Sequence, residues 1–219
     1  MGNDLRNIAP QDLSILSNAA VIAVNQDPLG QSAARRWLLY ANDTDGNAGS
    51  GTQLWSGNLK GTVNEDYNDY VVLLINGENT ANVMNATLED IFYDNGPRGH
   101  APQVDMSWEV RDLWAGRMSN ETAQAIIDAS ALASNATYGY NSTAISGDGQ
   151  NTTNTINRRY NATTTSYADG LAANNSLLLG SVVTTVHPSG TITASVDRHG
   201  AAMFRLRAVP TEVRKRDEL

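Results

Sequence analysis

The run Tyr70-Val71-Val72-Leu73-Leu74-Ile75, followed by Asn76-Gly77, decides the fold class. β-Branched and aromatic residues favour strands, and Asn-Gly is a strong turn signal. Similar runs lie on both sides of it, and we expect strands at 36–40, 52–55, 82–91, 108–114, 176–186, 191–196 and 201–206. Many short strands separated by Gly, Asn, Asp and Pro turns predict a mainly β protein, an antiparallel β-sandwich.

The segment before the first strand, residues 7–30, predicts helix and turn. Pro10 suits the first position of a helix, and Asp12 favours the positive helix start. Residues 20–24 fit either a strand or a buried helix, because a short apolar run does not distinguish the two. The turn residues Asp27-Pro28-Leu29-Gly30 end the segment.

Residues 117–175 interrupt the strand pattern with a tract rich in Asn, Thr, Ser and Ala. Such a tract has few large apolar groups to offset the entropy of ordering. It predicts a glycosylated, mobile insertion between two strands. Within it, a short helix from Glu121 to Leu132 is expected, with Ser119 or Asn120 as its cap.

The composition excludes several classes of function. A net charge of −8 and a pI near 4.7 argue against a nucleic-acid partner, which needs clustered Lys and Arg. No apolar run approaches the roughly 18 residues of a membrane span. The absence of cysteine excludes disulfides and thiolate sites, and His100, His187 and His199 show no metal-ligand spacing. We therefore expect no metal, no cofactor and no membrane partner.

The chain is rich in Asn-x-Ser/Thr sequons, which are acceptors for N-linked glycans. Eight begin at Asn42, Asn85, Asn120, Asn135, Asn141, Asn151, Asn161 and Asn174. The composition of the Asn-rich tract can produce such sequences by chance, but the first two lie outside it. The polar N-terminal residues predict no signal peptide in this segment. The last four residues, 216–219 (RDEL), resemble the KDEL-type retrieval signal or are an accidental charged tail.

The N-terminal residues carry a family resemblance. Asn3-Asp4-Leu5-Arg6 and the run 21–30, VIAVNQDPLG, resemble the end of the catalytic barrel in the α-galactosidases of glycoside hydrolase family 27. Other segments resemble that family's C-terminal β-sandwich, namely 54–59, 71–76, 111–114, 186–190 and 203–206. The implied division is 1–30 as a remnant of the (β/α)8 barrel, 31–116 and 176–208 as the sandwich, 117–175 as the insertion and 209–219 as a charged tail.

The resemblance implies a retaining hydrolase that removes terminal α-D-galactosyl residues, with galactose and N-acetylgalactosamine both left open as the sugar. Retaining glycosidases use two carboxyl groups, and the family's two aspartates lie on barrel strands upstream of this sequence. The chain is therefore expected to begin inside a longer protein, to contain no catalytic residue and to be inactive alone. The missing barrel is the expected packing partner, and the helix within 10–24 is expected to present an uncovered apolar face.

Two stretches need separate interpretation. Met1 falls where the family has a methionine in the wall of the sugar pocket, so it is a candidate substrate-binding residue, or else simply a free terminus. Tyr93-Asp94-Asn95 imitates the family's nucleophile motif, but Phe92 and Gly96 replace its Lys and Cys. A turn is the better prediction there.

A non-catalytic sandwich that binds glycans or another protein is the alternative function, because the chain has four tryptophans and tryptophan rings stack on sugars. Trp55 and Trp114 lie among apolar neighbours in predicted strands, so we expect both in the inter-sheet core. Trp37 and Trp108 stay open for either role.

Overall fold

The computed structural model describes residues 7–40, 50–60, 68–93, 101–135, 160 and 162–209; for 130–135 it describes the backbone alone. The strands are β1 (Ala34–Leu39), β2 (Thr52–Leu59), β3 (Asp69–Asn76), β4 (Asn82–Thr87), β5 (Trp108–Asp112), β6 (Ser181–Val186), β7 (Thr191–Val196) and β8 (Ala201–Ala208). The helices are α1 (Pro10–Leu16), α2 (Ala19–Asn25), α3 (Leu88–Ile91), α4 (Asn120–Asn135), α5 (Tyr167–Ala172) and α6 (Ser176–Leu179).

The strands form two antiparallel sheets. A six-stranded sheet has the order β1-β2-β3-β8-β5-β6, and β4 pairs with β7 in a two-stranded sheet. In the larger sheet Leu74 lies opposite Leu54 on one side and Ala202 on the other. The predicted mainly β, antiparallel sandwich is confirmed.

The core lies between the two sheets and is centred on aromatic rings. Trp108 is fully buried, and its ring meets Tyr70 edge-on at 5.5 Å between centroids and Phe92 at 5.0 Å. Its indole Nε1 donates to the Gln103 carbonyl at 2.8 Å. Because side chains alternate along a strand, every second residue of the central strands enters this core, including Leu54, Val72, Leu74, Val110 and Leu206.

Two predicted strands are partly helical. The strand expected over 82–91 ends at Thr87, which caps α3 in a capping box with Asp90. The threonine hydroxyl accepts from the Asp90 N–H at 3.0 Å and the Asp90 carboxylate accepts from the Thr87 N–H at 3.3 Å. This reciprocal cap satisfies two helix N–H groups and outweighs the strand propensity of the sequence.

The strand expected over 176–186 likewise begins only at Ser181, because α6 precedes it. The Asn175 side chain caps α6 by accepting from the Leu177 N–H at 2.9 Å. Gly180 follows with φ 78°, where a Cβ would lie 2.6 Å from the Asp112 carbonyl oxygen. The strand expected over 108–114 ends two residues early, at Asp112.

The segment before β1 forms helices α1 and α2, so 20–24 is helix and not strand. Asn18 caps α2 by accepting from the Ala20 N–H at 3.1 Å, and its Nδ2 donates to the Leu113 carbonyl at 2.9 Å. These two hydrogen bonds set the start of the helix and fix it to the residue that follows β5.

The expectation of an uncovered face on 10–24 is wrong for the small residues of α2. Ala19 and Ala23 pack against the apolar residues of α5 and α6 in a second buried cluster, with Leu171, Leu178 and Leu179. Helix α1 packs against α4, the helix predicted within 117–175. The Ser119 hydroxyl caps α4 by accepting from the Thr122 N–H at 3.2 Å.

Candidate functional site: a charged cluster between helix α2 and the sheet

Strand β8 places two arginines on one face of the six-stranded sheet. Phe204 and Leu206 point into the inter-sheet core, so Arg205 and Arg207 point to the opposite face. That face lies towards the N-terminal helices. Arg205 is fully buried and Arg207 nearly so, which is rare for arginine unless it is paired.

Two buried aspartates complete what we call the charged cluster, made of Asp27, Asp69, Arg205 and Arg207. Arg205 Nη1 lies 3.6 Å from Asp69 Oδ2, and its Nη2 lies 4.0 Å from Asp27 Oδ2. Arg207 Nε lies 3.1 Å from Asp69 Oδ2. The two positive and two negative groups balance, as buried charges require.

Each end of the charged cluster is tied to backbone or loop. The Asp27 carboxylate accepts from the Lys60 N–H at 3.0 and 3.1 Å and from the Leu29 N–H at 3.0 Å. Arg207 Nη1 donates to Asn174 Oδ1 at 3.0 Å. The cluster therefore joins the turn after α2, the end of β2, the start of β3, strand β8 and the loop between α5 and α6.

Burial dominates the electrostatics of the charged cluster. It raises the pKa of the Asp69 carboxyl, and the neighbouring Arg205 and Arg207 guanidinium groups pull that pKa back down. Burial also lowers the pKa of Arg205. Within the described residues no guanidinium nitrogen of Arg205 finds a hydrogen-bond acceptor. Both carboxylates of the charged cluster are therefore almost closed to solvent and paired with guanidinium groups.

Sequence reasoning missed this cluster. The sequence pattern predicts only a turn at Asp27 and only a strand at 201–206. The available signal was the alternation in Met203-Phe204-Arg205-Leu206-Arg207, which places both arginines on the face opposite the core. Nothing local identifies Asp69 as their partner.

Two of the four tryptophans are not where the sequence predicts. The expectation that Trp55 and Trp114 lie in the inter-sheet core is wrong; Trp108 lies there and Trp37 packs against it. Leu54 occupies the core position of β2, so its neighbour Trp55 faces the other side of the sheet. There it is half-buried beneath the Arg35 guanidinium, 5.9 Å from the ring centroid. All four rings are buried or half-buried, which does not favour a sugar-stacking surface.

The remaining predicted site residues divide by whether the structure describes them. Met1, Asn42, Asp94, Asn141, Asn151 and Asn161 lie outside the described residues, and so does the side chain of Asn135. The sequon residues Asn85, Asn120 and Asn174 are exposed. Asn85 Oδ1 accepts from the Thr193 hydroxyl at 2.8 Å, and Asn174 is the acceptor for Arg207.

Within the described ranges, no group of three or more His, Cys, Asp or Glu side chains could hold a metal ion. In the same part of the chain, no helix is both long and apolar enough to cross a bilayer.

Comparison with known proteins agrees with this architecture. Residues 49–138 match the family model described as the alpha galactosidase C-terminal beta sandwich domain. The chain is 38% identical to alpha-galactosidase 2 of Saccharomyces cerevisiae and 39% identical to an alpha-galactosidase of Torulaspora delbrueckii, each over 94% of its own length. A solved alpha-galactosidase structure from S. cerevisiae superposes with a TM-score of 0.74 at 35% identity, over 95% of this chain.

The chain is similar, over nearly all of its length, to the C-terminal part of alpha-galactosidases. It spans 38% and 37% of the two yeast relatives' lengths and 40% of the solved structure. In this sandwich the charged cluster lies between the N-terminal helices and the larger sheet.

Proposed function

We propose that this chain is the C-terminal sandwich of an enzyme that hydrolyses terminal α-D-galactosyl residues by a retaining, two-aspartate mechanism, and that the chain is inactive alone. The observation that carries the proposal is the match to an alpha-galactosidase over 94% of the chain at 38% identity. One of the solved S. cerevisiae alpha-galactosidase structures was determined with raffinose, which supports a glycoside substrate for the complete enzyme.

The catalytic aspartates are supplied by the barrel in this proposal. Retaining hydrolysis needs two carboxyl groups about 5 to 5.5 Å apart across an open sugar site. The carboxylates that the fold brings together, Asp27 and Asp69, are instead buried and ion-paired with arginines. This supports a structural role for the chain.

The barrel packs against the sandwich in this proposal, on the sheet face opposite the inter-sheet core. Trp55, Leu73, Ile75 and Met203 are half-buried there. Residues 1–30 would form the end of that barrel, 31–116 and 176–208 the sandwich, 117–175 the insertion and 209–219 the tail. Met1 would then lie at the wall of the sugar pocket.

An activity assay on the purified chain tests the proposal. We expect no release of chromophore from an aryl α-galactoside above the buffer rate. Release above that rate would contradict the assignment of both carboxylates to the barrel. The matched control is Asp94→Asn, which removes the one carboxylate in a nucleophile-like context; activity lost in this variant would trace the release to Asp94.

The sequons support a protein of the secretory pathway, and we propose that the exposed residues Asn85, Asn120 and Asn174 carry N-linked glycans. Expression in a secreting yeast should give a mass that falls on deglycosylation. Asn85→Gln should remove one glycan unit, whereas Asn79→Gln, an exposed asparagine outside any sequon, should remove none. A mass unchanged by deglycosylation would contradict this placement.

A further inference from the structure

The dipeptide Asn76-Gly77, at the end of β3, is chemically weak in an unfolded chain. In deamidation the backbone nitrogen of the following residue attacks the Cγ of asparagine. Glycine has no Cβ, so it leaves that nitrogen more open to the reaction than any other residue does. The sequence contains one other Asn-Gly dipeptide, Asn95-Gly96, which lies outside the described residues. A central strand of the sandwich therefore ends on a labile bond.

The fold holds the Asn76 side chain away from this reaction. Asn76 is fully buried, and its Oδ1 accepts from the Glu78 N–H at 3.0 Å and from Asn82 Nδ2 at 3.1 Å. Its Nδ2 donates to three backbone carbonyls at 2.8, 3.0 and 3.0 Å, those of Thr80, Val196 and Asp197. Turning the carboxamide towards the next backbone nitrogen would break all of these hydrogen bonds.

The attacking nitrogen is held as well. The Gly77 N–H donates to the Gly51 carbonyl oxygen at 2.9 Å, and a Cβ on Gly77 would lie 2.7 Å from that same oxygen. The two backbone segments are therefore in close contact, and burial of Asn76 keeps out the water that deamidation consumes. The reaction requires the end of β3 to open first.

We propose that Asn76 is a deamidation site that the folded chain protects, and that its conversion in the unfolded chain prevents the sandwich from reforming. The Gly77 nitrogen loses its proton and bonds to Asn76 Cγ. The bond from Cγ to Nδ2 breaks, and Nδ2 takes up a proton and leaves as ammonia. Water then opens the resulting succinimide ring at one of its two carbonyl carbons, which leaves aspartate or isoaspartate at position 76. Water is the only co-reactant.

Neither product fits the folded structure. A carboxylate has no hydrogen to donate, so at position 76 it would face three carbonyl oxygens as a buried, uncompensated charge. Two of those carbonyls, from Val196 and Asp197, lie at the end of β7, so the Asn76 side chain joins the larger sheet to the smaller one. Isoaspartate also adds an atom to the backbone where Asn76 pairs with Thr52. Unfolding thus becomes irreversible through a chemical change.

Mass spectrometry of the full chain tests the protection. The chain is kept in buffer and in urea at one temperature and pH until Asn95 has converted in urea, and is digested so that residues 76 and 95 fall in separate peptides. In urea we expect both asparagines to convert at similar rates. A stable chain is unfolded for about 10⁻³ of the time or less, so Asn76 should convert at least about 100-fold more slowly in buffer. Equal conversion of Asn76 in the two conditions, or none in urea, would overturn the proposal.

Refolding tests the consequence. When aged urea samples are diluted into buffer, the refolded fraction should fall in step with conversion of Asn76, and refolded molecules separated by size exclusion should retain Asn76. The matched control Asn95→Gln, which lacks the second dipeptide, should lose refolding at the same rate. Refolded molecules that are converted at position 76 as often as the rest, or an Asn95→Gln variant that keeps refolding, would overturn the proposal.

A direct substitution gives an independent result that does not depend on refolding from urea. Asn76→Asp should lose the cooperative thermal transition or melt well below wild type. Asn79→Asp, the same change at an exposed position, should melt close to wild type. An Asn76→Asp variant that melts like wild type, or equal losses in the two variants, would contradict the proposed effect of deamidation.

Discussion

Replacing Trp108 with alanine should destabilise the sandwich far more than the same change at Trp55. Trp108 is fully buried between the sheets, whereas Trp55 is half-buried on the other face. Truncating a buried aromatic side chain costs about 3 to 5 kcal/mol, and its contacts with Tyr70 and Phe92 add up to about 1 kcal/mol. We expect about 4 to 5 kcal/mol for Trp108→Ala.

For Trp55→Ala we expect the free energy of unfolding to fall by about 1 to 2 kcal/mol, because the ring is only half-buried and makes one contact with a guanidinium group. A loss of 1 kcal/mol in the free energy of unfolding lowers the thermal midpoint of a chain this size by about 2 to 4 °C, so Trp108→Ala should lower Tm by about 8 to 20 °C. Thermal and urea unfolding followed by circular dichroism measure both variants. Equal losses would refute the assignment of these two rings to opposite faces of the sheet.

Two further predictions concern the charged cluster and a close turn. Because burial raises the folded-state pKa of Asp69, its contribution to stability is full below its unfolded pKa, about 3.9, and declines as pH rises through the folded value. Urea unfolding should therefore show wild type losing stability relative to Asp69→Asn as pH rises above about 3.9, and a constant difference would contradict the raised pKa. Gly77→Ala should cost about 1 to 3 kcal/mol, because the new Cβ would lie 2.7 Å from the Gly51 carbonyl oxygen. Gly116→Ala, with nothing within 4 Å, is the matched control, and equal melting temperatures for the two variants would contradict the close approach.

Much of the sandwich was predictable because its signals are local. The run around Val72 is rich in residues that favour strands, and it pairs with β2 and β8. The turn after Ile75 is marked in the sequence by Asn76-Gly77. The helices α3 and α6 were missed because Leu88–Ile91 and Ser176–Leu179 directly adjoin strands β4 and β6. Their helical form depends on side-chain caps, a capping box of Thr87 with Asp90 for α3 and Asn175 for α6.

The face of a strand is a harder prediction than its existence. A tryptophan in a strand suits either side of a sheet, so the choice between Trp55 and Trp108 depends on which residues the other sheet covers. The charged cluster was beyond reach for a related reason. Asp27, Asp69 and Arg205 are far apart in sequence, and only the pairing of β3 with β8 and the return of α2 bring them together.

If this chain can serve as the C-terminal sandwich of an α-galactosidase, it should replace the same part of a relative. In such a graft, the chain takes the place of the matching C-terminal residues of S. cerevisiae alpha-galactosidase 2 behind that enzyme's own barrel. We expect the graft to hydrolyse an aryl α-galactoside and to melt cooperatively, whereas the barrel truncated at the same point does neither. A graft that is no more active or stable than the truncated barrel, while the intact relative is both, would contradict it.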